Sequence, residues 1–102
     1  MEGGTKRNGV LYRDVKDNGA KLRILDVGCG INKLAGAIGI DRNPASRADV
    51  LCDLDRIPYP FKANTFDRIH AAHVIEHVSD VIATMEEFHR LAKPGATIYL
   101  AT

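Results

Sequence analysis

Two glycines and three aspartates carry the chemistry that this chain could do. Gly28 and Gly30 follow the run Ile24-Leu25-Asp26-Val27, and Asp41 closes a second run, Ile38-Gly39-Ile40. A residue without a Cβ lets the backbone bend sharply and lets a ligand lie directly against it. Asp41 offers two acceptor oxygens, which suits a vicinal diol such as that of a ribose. Asp53 stands just beyond a third apolar stretch, Val50-Leu51-Cys52. Acids at strand ends are expected at a ligand crevice in open α/β sheets. Asp26 reads either as a contact to a ligand or as a strand-end acid satisfying the amides of the turn.

Two rival chemistries fit less well. A dinucleotide fingerprint G-x-G-x-x-G would place glycine at position 33, where Lys33 stands, and would put its acid about 20 residues on. Asp41 comes too soon, and no helix is expected to offer its N-terminus to a pyrophosphate. Arg42 could face a 2′-phosphate but reads as a solvent-facing charge. His73-Val74-Ile75-Glu76-His77 matches a zinc-protease pattern, H-x-x-E-H. On a helix its two histidines would share a face, but a third, acidic ligand would still be required. No metal is expected, and Glu76 reads as a structural acceptor near the crevice.

The elements that position these residues follow from periodicity. Residues 1–20 are polar and glycine-rich, with Val10-Leu11-Tyr12 as their apolar cluster, and read as an arm with at most a short ordered element. Strands are expected over 21–27, 37–40, 49–52, 66–71 and 96–101. The first reads as buried on both faces, like a central parallel strand. The connection from Gly28 to Gly36 is short for a crossover between parallel neighbours, which normally takes a dozen or more residues and a helix. A helix capped by Ser79 or Asp80 is expected, with Ile82, Met85, Phe88 and Leu91 as its apolar stripe and Glu86 paired to Arg90. Lys93-Pro94-Gly95 would end it. Asp55, Asp67 and Asp80 read as loop and cap residues.

Bulk properties exclude several classes. A chain of 102 residues fits one domain. A formal net charge of +1 gives no steering field. The basic residues of the first 23 positions are scattered, which argues against a nucleic-acid footprint. No apolar run approaches the ~18 residues of a membrane span. Met1-Glu2-Gly3-Gly4 does not open a secretory signal. Cys29 and Cys52 match no metal or redox spacing and read as reduced thiols, so a cytoplasmic location is expected.

Five blocks in order resemble a class I S-adenosylmethionine-dependent methyltransferase of the type 11-like branch, over roughly residues 21–102. They are Ile24 to Gly30 with Asp41; Cys52-Asp53-Leu54 with Ile57-Pro58-Tyr59-Pro60; Asn64 to Ile69; His73 to Val78; and Glu87 to Gly95. The resemblance implies an α/β fold with an open, mostly parallel, Rossmann-like sheet in order 3-2-1-4-5. It implies S-adenosylmethionine as cofactor. Gly28 and Gly30 would lie against its methionine part, with Asp26 near the amino group. Asp41 would bind the ribose and Asp53 and Leu54 would flank the adenine. Ala72 and His73 would border the methyl group and the acceptor, with His73 the candidate base.

The family often has a further glycine where Asn32 stands. It also continues with a sixth and a seventh strand, which this sequence does not include. Domain boundaries are thus expected at 1–20 for the arm and 21–102 for a cofactor domain that is incomplete or an excerpt. The implied activity is methyl transfer to an unidentified acceptor. The alternative is a cofactor-binding or regulatory module without its own acceptor pocket. An uncovered, apolar fifth-strand edge near Ile98 and Leu100 would invite self-association.

Overall fold

The computed structural model describes residues 4–7, 10–13 and 22–102. Five strands form a parallel sheet: β3 (Ile24–Val27), β4 (Ile38–Asp41), β5 (Val50–Leu51), β6 (Phe66–Ala72) and β7 (Ala92–Ala101). Their spatial order is β5-β4-β3-β6-β7, the expected 3-2-1-4-5. Two further strands, β1 (Gly4–Arg7) and β2 (Val10–Arg13), make an antiparallel hairpin whose second strand pairs with β5. The hairpin lies within what the sequence suggested was a polar arm. Its backbone covers the edge that the two-residue β5 would otherwise leave open.

Alternation along the strands sorts the side chains onto two faces. Leu25, Val27, Ile40, Val50, Ile69 and Ala71 share one face and meet Phe88 and Leu91 of the helix α1 (Val81–Leu91) in a single core. Asp80 caps α1, its carboxylate accepting from the Ala83 amide at 3.0 Å. The buried stripe of α1 is Thr84, Glu87, Phe88 and Leu91, not the expected Ile82-Met85-Phe88-Leu91, and Ile82 is 74% exposed. Steps of three residues fall about 60° short of a full turn each time, so position 82 ends up opposite position 91. The expected Glu86–Arg90 pair is also corrected. Arg90 instead forks onto Glu87, with nitrogen–oxygen distances of 2.8 and 2.6 Å.

The other face carries Asp26 and Gly39, and the Gly28–Ala37 connection crosses it without a helix. Three acids pin this connection in place of helical packing. Asp26 accepts from the Leu34 amide at 2.9 Å. Asp41 accepts from the Gly30 amide at 3.0 Å. Asp49 takes both the Lys33 ammonium (2.9 Å) and the Gly39 amide (2.8 Å). Gly39 must be bare, because a Cβ there would stand 2.7 Å from both Cys29 Sγ and Lys33 Cδ.

The boundary between α1 and β7 also differs from expectation. The helix stops at Leu91 and the extended backbone begins at Ala92. The register jumps from Phe66↔Ala92 to Arg68↔Thr97, so Lys93-Pro94-Gly95 bulges out, with Gly95 at φ +81°. Regular pairing then runs from Thr97 to Ala101.

Candidate functional site

At the carboxyl ends of β3, β4, β5 and β6 lies an open cleft of about 270 Å³. It is somewhat smaller than most small-molecule pockets. Its lining comes from Gly28 after β3, Asp41 and Arg42 at the end of β4, a wall of Asp53, Leu54 and Asp55 after β5, and a wall of His73, Val74, His77 and Val78 after β6. Five of the residues singled out from sequence therefore converge: Gly28, Asp41, Asp53, Leu54 and His73.

Each is positioned by a definable local cause. Gly28 sits at φ +62°, a region that L side chains avoid, and a Cβ there would come within 2.7 Å of Val74 Cγ2. Its amide donates to the Ile40 carbonyl at 2.8 Å, which turns the chain tightly off β3. Asp41 is half-buried, one oxygen taken by the Gly30 amide and the other by the Asn43 amide at 2.9 Å. An ionised carboxylate has about four acceptor directions, so two remain for hydroxyl donors. Asp53 accepts from the Asp55 amide at 2.9 Å, and the Leu54 carbonyl accepts from the buried Tyr59 hydroxyl at 2.9 Å. His73 holds φ +58°, unusual for a residue with a side chain, and its amide donates to Ala101 O at 2.7 Å. Its Nδ1 lies 3.7 Å from Glu76 Oε2.

Three of the expected residues lie outside the lining. Asp26 is 4% exposed, and burial pushes its carboxyl above the ordinary carboxylate range despite the Leu34 amide. Gly30, at φ +58° with open space where a Cβ would go, serves the cleft through its bond to Asp41. Ala72 ends β6 and pairs with Ala101.

Sequence reasoning did not single out Val74, His77 and Val78 as a wall. Their placement directly after β6, at the carboxyl edge of the sheet, is the signal that could have found them. The zinc pattern is not realised as a helix: one 3₁₀ turn covers only Ile75–His77, and His73 lies before it with left-handed backbone. Among the described residues no group of three candidate ligands comes together. No described helix is long and apolar enough to cross a membrane.

Comparison with known proteins adds findings of three kinds. The family described as "Methyltransferase domain" matches residues 6–102. A ubiquinone biosynthesis O-methyltransferase of Rhodopseudomonas palustris (strain HaA2) is 33% identical, over 79% of this chain and 40% of its own. The methyltransferase GfsG of Streptomyces halstedii is 28% identical, over 98% of this chain and 44% of its own. This chain thus spans less than half the length of these curated relatives. Among solved structures, a chain of the complex between the Haloferax volcanii Trm112 methyltransferase activator and a putative methyltransferase superposes with a TM-score of 0.65. The identity is 21%, over 84% of this chain and 46% of that one, a likeness of fold.

Proposed function

The chain belongs to the methyltransferase domain family, and on that premise we propose that its cleft binds S-adenosylmethionine and that the protein transfers the methyl group to an acceptor. The observation that carries this reading is the convergence of a bare Gly28, the carboxylate of Asp41 and the Asp53–Leu54 wall on one cleft. These residues fit the cofactor. Asp41 keeps two acceptor directions for a ribose diol after satisfying the Gly30 and Asn43 amides. Gly28, without a Cβ, keeps the turn clear of Val74, which also lines the cleft. The cleft is not built around the N-terminus of a crossover helix, which suits a nucleoside without phosphates.

When bound, S-adenosylmethionine supplies an electrophilic methyl group whose leaving group is a neutral thioether. The protein's task is therefore to position two partners and keep water out. In this reading Asp41 holds the ribose, while Asp53 and Leu54 flank the adenine. Gly28 and Gly30 would meet the methionine part, with the carboxylate of Asp26, buried under the turn, assigned to its amino group. Ala72 and His73 border the methyl group.

The O-methyltransferase relatives point to an oxygen acceptor, which must lose a proton as its new bond to carbon forms. His73 is exposed at the mouth of the cleft beside Glu76 and is the base we assign to it. The two free cysteines accord with a reducing, cytoplasmic setting.

Calorimetric titration with S-adenosylmethionine tests the reading. The parent chain should bind, and Asp41→Ala should bind about tenfold to a hundredfold more weakly, the worth of a hydrogen bond to a charged group. Absence of heat with the parent chain would overturn the proposal.

A further inference from the structure

The two walls of the cleft come from different connections and are anchored unequally. The wall after β5 is tied to the core at Leu54, whose carbonyl accepts from Tyr59. Tyr59 is 2% exposed, and its amide donates to the buried Glu87 of α1 at 2.7 Å. The wall after β6 is held in the core at Val74, but beyond it runs through a single 3₁₀ turn without a side-chain cap, none of whose three residues is buried. Two hydrogen bonds join the walls directly. The Ser79 amide donates to Asp55 Oδ1 at 2.8 Å, and the Ser79 hydroxyl donates to Asp55 Oδ2 at 3.0 Å. One residue thus occupies both oxygens of the carboxylate and fixes its rotation. Asp55 lines the cleft, whereas Ser79 stands behind it, next to the cap of α1.

We propose that Asp55 and Ser79 form a latch that sets the spacing of the two walls, so that both are positioning residues for the adenosyl part of the cofactor. The proposal rests on the cofactor reading above. Leu54, Val74 and Val78 supply the apolar part of the lining that a flat purine would contact. Dispersion contact is sensitive to spacing: a gap of about 0.5–1 Å forfeits about a quarter to a half of it. The latch crosses the cleft at the point where the less anchored wall meets the start of α1. The two Ser79 bonds hold Asp55 below the ordinary carboxylate range, and the charge of Arg42 adds a smaller pull the same way.

The test is a double-mutant cycle read by calorimetry with S-adenosylmethionine. Ser79→Ala removes the hydroxyl arm without touching the cleft lining, and should weaken binding about three- to tenfold. Asp55→Ala should weaken it further, and Asp55→Ala with Ser79→Ala should be no weaker than Asp55→Ala alone. Ser79→Thr keeps the hydroxyl and should stay within about twofold of the parent. Urea midpoints without ligand should hardly move, since both partners are exposed. Parent-like affinity in Ser79→Ala, additive losses in the double variant, or a fallen urea midpoint with unchanged affinity would each overturn the latch while the cofactor reading stands. A parent chain that gives no heat would overturn both.

Discussion

Gly28 and Gly30 are the same residue type two positions apart, and the structure gives them different reasons to be glycine. Both have positive φ, but only at Gly28 would a methyl group collide with a neighbour, the stiff β-branched Val74. Gly30→Ala should cost about 1 kcal/mol of stability, the backbone term alone. Gly28→Ala should cost about 3 kcal/mol, because the clash adds to the same backbone term. Urea unfolding of the two variants checks the difference, and equal losses would remove the close approach from the account. The thiols belong to this scale as well. Burial pushes Cys29 and Cys52 up to about 11, so neither is a thiolate near neutral pH. Iodoacetamide at pH 8 should label the folded chain slowly and the urea-unfolded chain at both sites.

At the scale of elements, α1 is fixed by a polar anchor inside an apolar face. Glu87 has a side chain only 3% exposed, and it takes the Tyr59 amide and the forked guanidinium of Arg90. Arg90 also reaches the Tyr59 carbonyl at 3.2 Å. This ties the helix to the loop whose Tyr59 hydroxyl holds the cleft wall at Leu54. Glu87→Ala should destabilise the fold by about 1–3 kcal/mol, since it strands the buried Tyr59 amide, while Arg90, a third exposed, can turn to water. Glu87→Gln, which still accepts from Tyr59, should lose less. A helical wheel shows an acid on the apolar side of α1 but not what it meets, because Tyr59 lies 28 residues away in sequence.

For the whole molecule, two kinds of carboxylate pull the pH dependence in opposite directions. Asp67 is held below the ordinary range, first by the Arg23 amide at 2.8 Å and then by Lys93 at 3.2 Å. Between its folded and unfolded values the unfolded chain binds more protons. Its stabilisation is therefore complete above about pH 4 and is lost as pH falls through the folded value. Asp26 is raised by burial, so its contribution runs the other way: ionisation costs stability, and acid relieves that cost as pH falls through the raised value. Urea midpoints followed from pH 7 to pH 2 should fall at the acid end. Asp67→Asn should flatten that fall, and Asp26→Asn should raise the neutral plateau while its amide oxygen still accepts from Leu34. A steeper acid limb in Asp67→Asn would contradict the assignment.

The sequence by itself determined the parallel strands, the glycine turn, a helix cap at Ser79 or Asp80 and the placing of Asp41 at a strand end. These follow from short-range rules: apolar runs, missing side chains and capping chemistry. The brevity of the Gly28–Gly36 connection was legible too. What only the tertiary structure decided depends on partners distant in the chain. The phase of α1 was set by the core that Phe88 and Leu91 fill. Asp55 and Ser79 bond across 24 positions because the connections after β5 and β6 come side by side. The helix-free connection held because Asp26 on β3, Asp41 on β4 and Asp49 in the bend before β5 each supplied an acceptor. Local pattern fixes what a residue can bond to, whereas packing alone chooses which donors come within reach.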